Sequence, residues 1–211
     1  MTHYIYLFAL LLAGISGVYK FRQKDLATNI LAILICCAFI NECAAFYMAI
    51  KYHNNLALYA IYSIIEFIML CLYFNNVVDV FKKNNFAIFL GISGTILGIL
   101  NLVFLQHLAS LSSFFLLFEG VSVIGMSLFA FFRMLLKYDS LRLYTYPHFW
   151  FISIILFFWN ITFLTWGLYE YITQQLLPSA LNINRILEVV GIITYCAMAS
   201  VFLLYPKMTR K

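Results

Sequence analysis

Charge is scarce in this chain. Asp, Glu, Lys and Arg make up 10% of its 211 residues, while apolar residues reach 65% and mean hydropathy is +0.96. Ordinary soluble domains carry about 25% charged residues, so this balance excludes a soluble globular fold. Recognisable catalytic and nucleotide motifs are also missing: there is no His-Glu-x-x-His, no Gly-x-Ser-x-Gly and no P-loop. Residues 192–200, within the last apolar run, contain no lysine, which disfavours a retinal Schiff base. The four histidines, His3, His53, His107 and His148, all avoid the middle of apolar runs, so no pair is placed for axial haem ligation. His3, His53 and His107 with Glu170 could in principle form an external zinc site. Ordinary loop histidines are the simpler expectation, and neither a metal nor another cofactor is expected. The five cysteines (Cys36, Cys37, Cys43, Cys71, Cys196) lie inside apolar runs. They read as small polarizable packing residues, not as a disulfide framework.

What the chain has instead is apolar length. About 20 residues are needed to cross about 30 Å of hydrocarbon. Seven runs approach or exceed that: residues 4–19, 26–50, 56–74, 86–106, 109–136, 147–168 and 181–205. The connection over residues 75–85 is only a short loop and six residues follow Tyr205, so no soluble domain is expected. The first run has its basic cluster behind it, unlike a signal peptide, and is read as a retained helix. The expected architecture is an all-α integral membrane protein, a single seven-transmembrane helix bundle over residues 1–211.

Orientation follows from the basic residues. Eleven of the thirteen Lys and Arg fall in the first, third and fifth connections and the tail; only Lys51 and Arg185 fall on the other side. The positive-inside rule then places the N-terminus outside and the C-terminus in the cytoplasm of a cell membrane. The net positive charge is thus a topology signal, and no nucleic-acid partner is expected.

The acidic residues are distributed unusually. Of eight, Asp25, Asp79, Asp139 and Glu170 fall at helix ends or in loops, but Glu42, Glu66, Glu119 and Glu188 lie deep in four different apolar runs. An intramembrane carboxylate costs several kcal/mol, about 2.5–3.5 for Asp on insertion scales, and marks a functional site by default. Helical spacing groups these residues into faces. On the third run Asn55, Tyr59, Tyr62, Ser63, Glu66 and Tyr73 share a side; on the fifth, Ser112, Glu119, Ser122 and Met126; on the seventh, Asn184, Arg185, Glu188, Gly191 and Tyr195. On the second, Ala38, Asn41 and Ala45 align with Glu42 beside them, and on the sixth Ser153, Asn160 and Gly167 align. Polar faces in lipid turn inward. At about 1.5 Å per residue, Glu42, Glu66, Glu119, Asn160 and Glu188 are expected about 10–15 Å below the outer edge, in one layer. Four carboxylates there cannot all ionise cheaply. At least two are expected to be protonated and hydrogen-bonded to Tyr or Asn, with Arg185 pairing to Glu188 or Glu42. Gly91, Gly94 and Gly98 on the fourth run read as a small-residue packing face.

These features point to a receptor-like or transporter-like protein that binds a small ligand. Its expected ligand or proton sites are Glu42, Glu66, Glu119, Glu188, Arg185, Asn41, Asn160, Tyr59, Tyr62 and Tyr195. A receptor would need a cytoplasmic or membrane partner protein for its output. The alternatives are an intramembrane enzyme, such as a lipid hydrolase using carboxylates as acid and base, and a structural or assembly subunit of a membrane complex.

Overall fold

A computed structural model describes residues 2–105, 113–137, 143–167 and 177–208, and among them the chain is helical with no strand. The long helices are α1 (Thr2–Val18), α2 (Leu26–Tyr52), α3 (Leu56–Val77), α5 (Phe86–Leu100), α6 (Ser113–Lys137), α7 (Pro147–Gly167) and α8 (Leu177–Met208). A short α4 (Asp79–Asn84) lies between α3 and α5. Five helical segments are long and apolar enough to cross a membrane: Leu26–Tyr52, Leu56–Val77, Phe86–Phe104, Phe114–Lys137 and Arg185–Met208. Two shorter apolar helices, Thr2–Val18 and Pro147–Phe163, accompany them. Large apolar side chains are exposed around the bundle, among them Phe8, Ile15, Ile40, Phe89, Val121, Leu135 and Ile193. Such an outer surface suits hydrocarbon and not water, and the chain is a multi-pass membrane protein.

The turns are short because capping is local. Asp25 caps α2, its carboxylate accepting a hydrogen bond from the Thr28 N–H at 2.8 Å. The α2–α3 turn uses a left-handed His53 (φ 54°), and Asn54 accepts from the Leu56 N–H at 3.0 Å. Lys24, folded under α1, donates from Nζ to the carbonyls of Ser16 and Gly17 at 2.9 and 2.8 Å. A cation there satisfies carbonyls that a helix end leaves unpaired.

The helices close into a ring. α1 packs between α2 and α8; α3 follows α2; α6 touches α3 and packs extensively on α7; α7 returns to α8. α5 stands outside this ring, against α3. Its glycine face explains how it seats. A Cβ on Gly94 would lie 2.2 Å from Cε1 of Phe67, and one on Gly98 would lie 2.9 Å from Ile64 Cγ1. Both neighbours are on α3, so only glycine lets the two backbones approach this closely.

Candidate functional site

A cavity of about 100 Å³ lies inside the ring, and every ring helix contributes to its wall. α1 supplies Tyr6; α2 supplies Ala38 and Glu42; α3 supplies Tyr59, Tyr62, Ser63 and Glu66; α6 supplies Leu116; α7 supplies Phe158 and Trp159; α8 supplies Tyr195. A smaller lobe of about 40 Å³ shares Ala38, Tyr62, Glu66, Phe158, Trp159 and Tyr195 and continues toward Leu31, Leu70, Thr194 and Met198. Glu42 is ten residues from the end of α2 at Tyr52, and Glu66 is ten from the start of α3 at Leu56. At 1.5 Å per residue both lie about 15 Å from that end of the bundle. Such a space holds several water molecules, each of which needs about 10–15 Å³ by this measure.

The two wall carboxylates differ. Glu42 is held on both oxygens: the Tyr6 hydroxyl donates to Oε1 at 3.1 Å and the Tyr59 hydroxyl to Oε2 at 3.0 Å. Glu66 faces the cavity and accepts no hydrogen bond from a described residue. Behind it Glu119 is fully buried, and neither of its carboxyl oxygens has a partner among the described residues. Tyr62 is within electrostatic reach of Glu66, Tyr195, Glu119 and Glu42, so the three carboxyls belong to one polar centre.

The remaining residues singled out in the sequence are placed otherwise. Asn160 is exposed and donates to the carbonyl of Leu156 at 2.8 Å, four residues back in its own helix. With its amide served locally, it has no need of the interior. The inward face of α7 is instead Ile152, Ile155, Trp159 and Thr162. Asn41 is half-buried and lines neither lobe. Glu188 lies 3.5 Å from His3 Nδ1, at the mouth of the bundle and off the cavity wall. Arg185 is exposed and makes no ion pair with Glu188 or Glu42, which corrects the expected pairing. One helical turn before Glu188, it extends outward where its charge is easily solvated. Ser112, His107, Glu170 and Asp139 lie outside the described residues, as does the side chain of Asn184.

Tyr6 and Trp159 completed the wall without being singled out as site residues in the sequence. A signal for Tyr6 existed: it continues the face Leu10, Ala13, Gly17 at four-, three- and four-residue steps, all three buried. For Trp159 the signal was its depth and its need for an indole partner.

A second polar cluster sits at the opposite end, where Lys20, Arg22, Lys82, Lys83 and Lys207 also gather. His148, at the start of α7 and 4% exposed, places Nε2 2.6 Å from Asp25 Oδ2 and Nδ1 3.3 Å from the Tyr73 hydroxyl. The Tyr205 hydroxyl accepts from the Asp25 N–H at 3.1 Å. Burial pushes the Asp25 carboxyl up, but the His148 hydrogen bond and charge and the Thr28 amide outweigh it, leaving it well below the usual range. Burial pushes the Lys24 ammonium down to about 8. This cluster ties α2, α3, α7 and α8 together, and its locally satisfied geometry, with His148 and Tyr73 buried and Asp25 at the edge, suits a structural clasp. Among the described residues no group of three or more His, Cys, Asp or Glu is placed to hold a metal ion.

No protein-family model, no curated protein and no solved structure matches this chain.

Proposed function

We propose that this protein is a seven-span bundle, N-terminus outside and C-terminus in the cytoplasm of a cell membrane, that binds a small ligand in its ring cavity as a receptor or transporter. The observation that carries this reading is the cavity wall. Tyr6, Glu42, Tyr59, Tyr62, Glu66 and Tyr195 surround one space, built by all six ring helices. A bundle held together only by polar contacts would pair those groups with each other and leave no room. Here Glu66 is left facing open volume. In the proposed orientation the cavity lies toward the outside and the basic residues toward the cytoplasm. A receptor of this build would pass its signal to a cytoplasmic partner docked on those basic ends.

Cysteine labelling in a cysteine-free background tests the topology and the cavity together. A membrane-impermeant thiol reagent should modify Asn54→Cys from outside, and Asn84→Cys only after permeabilisation. Tyr59→Cys and Glu66→Cys should also react from outside, Glu66→Cys more slowly. Exchanged behaviour at positions 54 and 84 would overturn the orientation. An unreactive Glu66→Cys on both sides would overturn a solvent-reachable site.

A further inference from the structure

We infer that the cavity ligand is a small organic cation, an alkylammonium group. The inference deepens the ligand-binding reading and rests on it. Two observations on the wall point to a cation, and a third to an occupied space. First, the polar centre holds Glu42, Glu66 and Glu119, while no Lys, Arg or His lines either lobe. The nearest titratable base is His3 on α1, which stacks on Tyr6 and lies 3.5 Å from Glu188, off both lobes; Arg185 is exposed. A carboxylate inside a bilayer persists when a cation stands beside it, and among the described residues none lines the wall beside Glu66. Second, the wall is aromatic. Tyr6, Tyr59, Tyr62, Phe158, Trp159 and Tyr195 supply ring surface, the arrangement that attracts ammonium groups through the ring quadrupole. Third, polar groups are left over. Trp159 is 3% exposed and its indole N–H meets no described acceptor, and the buried Thr194 hydroxyl on the smaller lobe is also unpartnered. A dry structural core would have satisfied them; the indole donor calls for an acceptor such as water, so these groups mark an occupied space and not the charge of its ligand.

The division between the carboxylates sets their roles. Glu42, fixed by Tyr6 and Tyr59, holds those two rings in place. Glu66, free of such bonds and shared by both lobes, is the counter-ion that meets the ammonium. An anionic ligand would face two wall carboxylates with no compensating donor cation. A neutral apolar ligand would leave an ionised Glu66 without a counter-ion.

Isothermal titration calorimetry on the full chain in nanodiscs, at constant ionic strength in sodium chloride, tests this. The probes are methylammonium and tetramethylammonium chloride, beside potassium chloride, methanol, tert-butanol and sodium acetate. At least one ammonium should bind. Glu66→Gln should weaken it by about ten- to a hundredfold, the range for a charge-assisted contact. Trp159→Leu, which keeps every carboxylate, should weaken tetramethylammonium about tenfold. It also keeps the proposal falsifiable where Glu66→Gln does not fold. Ala38→Trp, which fills the junction of the two lobes, should abolish binding. If an alcohol, acetate or potassium binds instead and Ala38→Trp removes that binding, the cavity reading stands and the organic cation is wrong. If ammonium binding survives Ala38→Trp, or no probe binds to wild type, the cation inference falls. The reading of the cavity as a ligand site then rests on the labelling at position 66.

Discussion

Asp25 illustrates how a single carboxylate can hold a membrane bundle at its edge. It caps α2 through Thr28 and contacts His148, 123 positions away in the chain. Its folded-state pKa lies below the usual carboxylate value, so the folded protein binds fewer protons there than the unfolded chain. Its contribution is therefore complete above the ordinary Asp pKa of about 4 and is lost as pH falls toward the folded value. The melting temperature should fall between about pH 5 and pH 3, and Asp25→Asn should flatten that fall. The side chain is 44% exposed, so solvent screening keeps the effect small. A pH profile unchanged by Asp25→Asn would remove Asp25 as the titrating group. Glu119 presents the opposite case, a fully buried carboxyl without a partner among the described residues. Glu119→Met, similar in volume, removes an unsatisfied group worth about 1–3 kcal/mol. It should raise the melting temperature in detergent; a lower one would mean that the carboxyl has a structural partner. The depth of both Glu66 and Glu119 was legible from the apolar runs around them. That Glu119 has no partner among the described residues, and that His148 reaches Asp25, depends on packing between distant segments and was not.

Single helices record how closely their neighbours approach. Gly94 on α5 faces Phe67, which is itself fully buried and ringed by Phe115 and Phe118 at 5.9 and 5.5 Å between ring centroids. The Phe67 ring cannot swing away. Gly94→Ala should therefore destabilise by about 1–3 kcal/mol, the usual cost of overpacking. Gly125 on α6 meets nothing within 4 Å, so Gly125→Ala should be neutral or stabilising by up to about 1 kcal/mol, through helix propensity alone. Thermal melts of the two variants in one detergent make the comparison, and equal shifts would contradict the packing argument. The glycine face of α5 was readable because small residues four apart have few other uses in a bilayer. The inward face of α7 was misread because Asn160 was taken to need the interior. An i−4 carbonyl satisfied it from outside, and the large apolar Trp159 turned inward instead.

At the scale of the whole bundle, α1 closes the ring, wedged between α2 and α8. The wedge is tight at the cavity: a Cβ on Gly191 of α8 would stand 2.6 Å from Tyr6 Cε2. Gly191→Ala should therefore lower stability and, by displacing Tyr6, loosen its bond to Glu42. Tyr6→Ala removes the ring that clashes, so the double variant should lose less than the sum of the single losses. A double-mutant cycle measured by thermal melts checks this, because residues in contact couple by about 0.5–3 kcal/mol and separated ones do not. Strict additivity would mean that α1 adjusts freely. Arg185→Met offers a contrasting test. As an exposed residue without an ion pair to Glu188 or Glu42, it should melt within about 0.5 kcal/mol of wild type.

The sequence by itself determined the helical membrane class, the approximate helix positions and the depth of Glu42 and Glu66. These follow from local rules: apolar length, helical period and the cost of charge in hydrocarbon. The side of α3 that bears Tyr59, Tyr62, Ser63 and Glu66 was legible for the same reason, since four polar groups at three- and four-residue steps can only share one face. Tertiary structure decided which of these faces meet. Rotation of each helix about its axis is set by packing against neighbours, and a period of 3.6 residues leaves several solutions for a helix that is apolar nearly all round. Only the closed ring brings Tyr6 from α1 and Tyr195 from α8 to the same carboxylates. Only the ring turns Arg185 outward, and only the ring leaves an open space beside Glu66.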